Sequence, residues 1–142
     1  MLKAATIVLL VLFVLTAVYS FVDIIAPGIT LEGDFQAVTG KSFEGVLEDG
    51  SLFVPMLYLR HMGVASLAIS IAAAFILLAG FSKAQQWAWW ALLVTGGLVL
   101  GFGTVVNIVI ANWFDFTTHL VALLWLLAGL LIPVKVFFTK KA

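Results

Sequence analysis

The stretch Pro55–Phe81, PMLYLRHMGVASLAISIAAAFILLAGF, holds the chain's only arginine, Arg60, and a histidine, His61, ahead of an uncharged run over Met62–Phe81. A helix needs roughly 20 apolar residues to cross about 30 Å of hydrocarbon, and this run supplies them. The rest of the chain reads as further membrane helices and one polar loop arranged around that charged entrance.

Composition agrees. Of 142 residues 64% are hydrophobic and 10% charged, with a mean hydropathy of +1.23. A water-soluble domain keeps about 25% of its residues charged, so this is an integral membrane protein. Seven Lys+Arg balance seven Asp+Glu, which gives no basic excess and no reason to expect a nucleic-acid partner. Cysteine is absent, which excludes disulfides and thiolate metal sites within this chain.

Outward from Pro55–Phe81, three more apolar runs follow the same logic. Ala4–Val22 is free of charge and ends near Asp23–Ile25, where Pro27 and Gly28 stop a helix. Lys3 resembles the n-region of a secretory signal and Ala17–Ser20 a weak cleavage site, but we read the segment as a retained first span. Trp87–Ala111 and Phe116–Val134 give the third and fourth. Backbone cannot cross lipid unpaired, so each run is expected to be a helix. The expected fold is an all-α, four-transmembrane-helix bundle in one domain over 1–142, with spans at 4–25, 55–81, 87–111 and 116–138. A short extracytoplasmic cap over 26–54 joins the first two.

The cap carries most of the acids (Glu32, Asp34, Glu44, Glu48 and Asp49), with turn signals at Gly33, Gly40 and Asp49–Gly50. Alternation over Ile29–Glu32 suggests a short strand, and Ser42–Leu47 one or two helical turns. Its apolar residues, Phe35 and Val38 among them, suit a segment folded over the bundle mouth. Gly40-Lys41-Ser42 lacks the upstream glycine of a phosphate loop, because Phe35 stands there, and reads as a turn.

Charge fixes the expected orientation. With four spans, the termini share a side with the Lys83 turn, gathering Lys3, Lys83, Lys135, Lys140 and Lys141 without an acid. All seven acids fall on the other side with Lys41 and Arg60. Basic residues accumulate in cytoplasmic loops, so both termini are expected in the cytoplasm and residues 26–54 outside, in a bacterial inner membrane.

Polar residues at helical spacing mark the inward faces: Thr16, Tyr19 and Asp23 in the first span, and Arg60, Gly63, Leu67, Ser70 and Ala74 in the second. The third offers Gly96, Leu100, Gly103 and Asn107, and the fourth Asp115, His119, Ala122, Gly129 and Pro133. Charge near hydrocarbon is costly, so the outer ends are expected to turn inward and bring Asp23, Arg60, Asn107, Asp115 and His119 together under the cap. Arg60 would then pair with Asp23 or Asp115, and Asp115 would hold His119 one turn on. Such a cluster either fixes helix register or forms a ligand site in which Arg60 meets an anionic or carbonyl group and Asp115–His119 exchange a proton. His61 lies about 100° around the helix from Arg60 and faces elsewhere. No metal-ligand spacing and no catalytic motif is present, so a metal site and an enzyme are both disfavoured. Gly63, Gly96, Gly97, Gly101 and Gly103 are expected helix-packing positions, within the bundle or against a second copy or another membrane subunit.

The pattern Tyr58-Leu-x-Arg60-x-x-Gly63-x-x-x-Leu67, followed by a glycine-rich third span and a histidine early in the fourth, resembles the small four-helix bacterial membrane proteins of the DoxX-like group. The resemblance covers the last three spans. It implies a four-helix bundle and an association with respiratory or quinone-linked redox systems, with Arg60, Gly63 and His119 at matching positions.

Two functions are therefore expected in competition. One is an accessory or structural subunit docking in a larger membrane assembly. The other is a binder of a quinone- or lipid-like molecule in a polar pocket at the outer end. Neither requires a bound cofactor beyond that quinone or lipid. A channel or transporter fits less well, because no span is broken or charged in mid-membrane.

Overall fold

A computed structural model of the chain describes residues 1–40 and 53–139. Its elements are α1 (Leu2–Ile25), α2 (Pro27–Thr39), α3 (Phe53–Ala79), α4 (Gln86–Val109), α5 (Trp113–Leu131) and α6 (Val134–Phe138), with a 3₁₀ turn over Phe81–Lys83. No strand occurs among the described residues. Four of the helices, α1, α3, α4 and α5, are long and apolar enough to cross a membrane. The all-α four-helix bundle expected from the sequence is the fold.

The spans form a ring. α1 lies most closely against α3 and α4 against α5, while looser contacts of α1 with α5 and of α3 with α4 close the circuit. The buried face of α1, Ala5, Leu9, Leu12, Phe13, Ser20 and Asp23, recurs at steps of three, four and seven, with Leu12 and Phe13 side by side, as a single helical stripe does. Lipid tails are as apolar as leucine, so close fit rather than escape from water holds such helices together. Fit is visible where large meets small. A methyl built on Gly129 would lie 2.5 Å from Leu9 Cδ2, one on Gly96 2.6 Å from Leu126 Cδ2, and one on Gly63 2.8 Å from the Ser20 carbonyl. Around the outside, side chains such as Phe75, Leu98, Phe102 and Val109 are exposed, as a lipid-facing surface requires.

Polar side chains within the spans are satisfied locally. Thr6, Thr16, Ser20, Ser70 and Thr104 each donate to the carbonyl four residues back. Trp125 Nε1 donates to the Val8 carbonyl at 3.1 Å, and Trp89 Nε1 to the Leu130 carbonyl at 2.9 Å.

Three sequence readings are corrected. Ile29–Glu32 is helical, not a strand. Pro27 occupies the first turn of α2 with its φ already set for a helix, and Gly40 closes it in the left-handed conformation (φ 68). Four alternating residues are too few to outweigh those two signals. Next, the third turn is tighter and the fourth helix longer at its start than expected, because Asn112 caps α5 at Trp113. Finally, 116–138 is not one span. Pro133 brings no N–H to the ladder, α5 stops at Leu131, and α6 follows as a separate short helix. Gln86 Nε2 ties that helix down through the Phe137 carbonyl at 2.8 Å, and the Phe137 ring packs on Phe81 with centroids 4.7 Å apart. The expectation for Ser42–Leu47 falls outside the described residues, as does Lys41.

Candidate functional site at the acidic end of the bundle

The polar end is built around the α4–α5 turn. Ala111 takes a positive φ of 57°, which swings Asn112 back so that its N–H reaches the Asn107 carbonyl at 3.0 Å. Asn112 is fully buried and uses its whole side chain. Its Oδ1 accepts from the Asp115 N–H at 3.2 Å, which caps α5, and its Nδ2 donates to Asp34 Oδ1 at 3.2 Å and Asp115 Oδ2 at 3.1 Å. One amide thus bridges two carboxylates, one from the cap helix and one from a span. Asp115 also sits in the first turn of α5, where the helix dipole favours a negative charge. Burial, and after it the nearby Asp115 charge, pushes the Asp34 carboxyl up to about 6.

Asp23 is buried and accepts from the Thr30 hydroxyl at 2.7 Å, a second link between α1 and the cap helix. Tyr19 stands within electrostatic reach of Asp23, Asp34 and Asp115. Deeper, His119 Nδ1 lies 2.9 Å from the backbone carbonyl of Asp115 and 3.3 Å from Asn107 Nδ2. The ring packs against α4 at Gly103, where a built methyl would collide with His119 Cδ2 and lie 2.7 Å from Nε2.

Of the expected cluster, the structure brings Asn107, Asp115 and His119 together and sets Asp23 close by, joined to the cap. Arg60 is different. It is exposed, and among the described residues it makes no ion pair or hydrogen bond. On α3 the buried stripe runs through Gly63, Ser70, Ala73 and Leu77, and Arg60, although three residues from Gly63, stands at its edge with an exposed side chain. His119 is indeed anchored one turn from Asp115, but through the backbone carbonyl rather than the carboxylate. Gly63, Gly96 and Gly103 are packing positions within the bundle. Gly97 and Gly101 meet nothing within 4 Å and lie on an open face of α4. Among the described residues no three His, Cys, Asp or Glu side chains converge to hold a metal ion.

Asn112, Asp34 and Thr30 were not singled out from the sequence. The first was readable: Asn112 followed three residues later by Asp115 is an N-cap pattern. The other two stand four apart, on one face of a helix, and become visible once 27–39 is recognised as helical.

Beside this network a groove of about 320 Å³ runs between α1 and α5, with Leu100 of α4 contributing to it. Leu12, Leu15, Val121, Ala122 and Trp125 make most of it apolar, while Thr16, Tyr19, Asp115, Thr118 and His119 supply polar groups. It occurs at one of the two looser junctions of the ring.

No family model, curated protein or solved structure matches this chain. The resemblance to DoxX-like proteins therefore rests on the short motif alone.

Proposed function

We propose that this protein is a small membrane-embedded binder of an amphiphilic molecule, a lipid- or quinone-like compound, which enters the α1–α5 groove sideways from the bilayer. The observation that carries this reading is the groove itself. Small-molecule pockets of about 300–1,000 Å³ are mostly apolar with a few placed polar groups, and this one sits at the lower limit with Tyr19, Asp115 and His119 at one end. An apolar tail fits along Leu12, Leu15 and Val121, and a polar head beside His119. The acidic end is read as extracytoplasmic and the lysine-bearing termini as cytoplasmic, in a bacterial inner membrane, on the positive-inside rule.

Filling the groove tests this. With the purified chain in phosphatidylcholine nanodiscs, Ala122→Phe should abolish saturable binding of a photoreactive hexadecyl probe while leaving the thermal midpoint near that of the unmodified protein. Unaltered labelling in the folded variant would count against the groove.

A second reading, docking against another membrane protein or a second copy, draws on Gly97 and Gly101, whose missing side chains leave open space on α4. Chemical crosslinking of the native membrane, with and without Gly97→Leu, checks it: loss of a specific adduct supports docking.

A further inference from the structure

His119 has one ring nitrogen committed. Nδ1 has two neighbours with opposite demands: the Asp115 carbonyl at 2.9 Å only accepts, and Asn107 Nδ2 at 3.3 Å only donates. The shorter contact is taken as the hydrogen bond, which places the hydrogen on Nδ1 and leaves the Asn107 approach a packing contact. In the uncharged ring Nε2 is then a bare acceptor. Nε2 has no hydrogen-bond partner among the described residues, yet no buried side-chain nitrogen or oxygen among them is left unsatisfied. This nitrogen accordingly keeps some exposure; it sits beside Gly103 of α4, and His119 is one of the residues that line the groove. Of the groove's other polar groups, the Thr16 and Thr118 hydroxyls are spent on carbonyls of their own helices. Tyr19 brings a hydroxyl that can donate or accept, and the Asp115 carboxylate is an acceptor to whose field Asp23 and Asp34 add. Among the described residues no lysine or arginine lines the groove.

We infer that the groove selects amphiphiles whose head group donates a hydrogen bond and carries no negative charge, a hydroxyl or a primary ammonium, with His119 Nε2 and Asp115 as the acceptors. This rests on the proposed groove-binding function and narrows it. Head groups that only accept leave Nε2 unpaired, and anionic heads meet like charge. An acceptor left without its donor weakens binding by about 1–1.5 kcal/mol, up to roughly tenfold in affinity. Whether the donor is neutral or cationic depends on how much of the three-carboxylate field reaches it, and the experiment separates the two.

Four hexadecyl compounds that differ only at the head decide the matter: the alcohol, the primary amine, the methyl ether and the carboxylate. Each competes for labelling by a diazirine-bearing hexadecyl alcohol on the full chain in phosphatidylcholine nanodiscs, whose lipid head offers no donor. The alcohol and amine should displace the label at about tenfold lower mole fraction than the ether, with the carboxylate weakest. An amine stronger than the alcohol identifies a cationic head; equal potency identifies a neutral one. In His119→Phe the advantage of the alcohol over the ether should shrink to what Asp115 alone sustains, and the comparison on the unmodified chain stands if that variant fails to fold. Equal displacement by all four compounds, suppressed by Ala122→Phe, overturns the donor preference but keeps the groove. Displacement by none, or displacement indifferent to Ala122→Phe, overturns the groove as well.

Discussion

Asp34 and Asp115 accept hydrogen bonds from the same nitrogen, Asn112 Nδ2, at 3.2 and 3.1 Å. The cap helix is thereby fastened to the start of α5 by a pair of acids that would otherwise repel. This latch and the groove beside it are the features from which the following outcomes derive.

The latch should tighten in mild acid. Asp34 is held at about 6, above its ordinary value of 3.8, so the folded chain takes up its proton more readily than the unfolded chain. Stability from this group is fully present below about pH 4 and is lost as pH rises through about 6. Protection of the α2 amides, taken relative to the intrinsic exchange rate at each pH, should rise between pH 7 and pH 5, and Asp34→Asn should remove that rise. Protection that falls over the same range in the unmodified chain contradicts the assignment.

Removing the bridge should cost more than removing a cap alone. Asn112→Ala forfeits the cap of α5, worth about 0.5–2 kcal/mol, and takes a donor from two half-buried carboxylates, a further cost of about 0.5–1.5 kcal/mol. Denaturation in mixed micelles should place the total near the upper part of that combined range. A loss below about 0.5 kcal/mol would show that the bridge is not formed.

The glycines should divide into two groups. At Gly63 an added methyl meets the Ser20 backbone, which cannot step aside, and Gly63→Ala should destabilise by about 1–3 kcal/mol. Gly97→Ala and Gly101→Ala meet only open space and should be neutral or gain up to about 1 kcal/mol from helix propensity. Thermal midpoints of the three variants check the division.

Arg60→Ala should change stability by no more than about 0.5 kcal/mol, because an exposed side chain without an ion pair among the described residues holds little in place. A loss of several kcal/mol would revive the pairing with Asp23 or Asp115 that its position in the sequence suggests.

The spans were legible because length and hydrocarbon thickness leave little choice, and the inward stripes because a period of 3.6 survives in any packed helix. The polar end was legible in part. Asn107 and His119 emerged from their place on those stripes, but Arg60 did not follow, because spacing three from Gly63 puts it at the edge of the inward stripe without fixing which way so long a side chain turns. Asp34 and Thr30 were hidden behind a mistaken strand. Their role depends on α2 folding back onto the bundle, a tertiary event that the local pattern over Ile29–Glu32 does not encode. The groove between α1 and α5 was not legible either, since it arises from how loosely two helices meet.

Mapping where a photoreactive, single-tailed hexadecyl alcohol attaches to the chain in nanodiscs is the most direct test of the α1–α5 groove. Saturable labelling should concentrate on α1 between Leu12 and Tyr19 and on α5 between Thr118 and Trp125, and excess unlabelled alcohol should compete it away. Labelling spread evenly over the outer faces, with Phe75, Leu98 and Phe102 marked as strongly and no competition, would mean that the amphiphile is bulk lipid and that the groove holds nothing in particular.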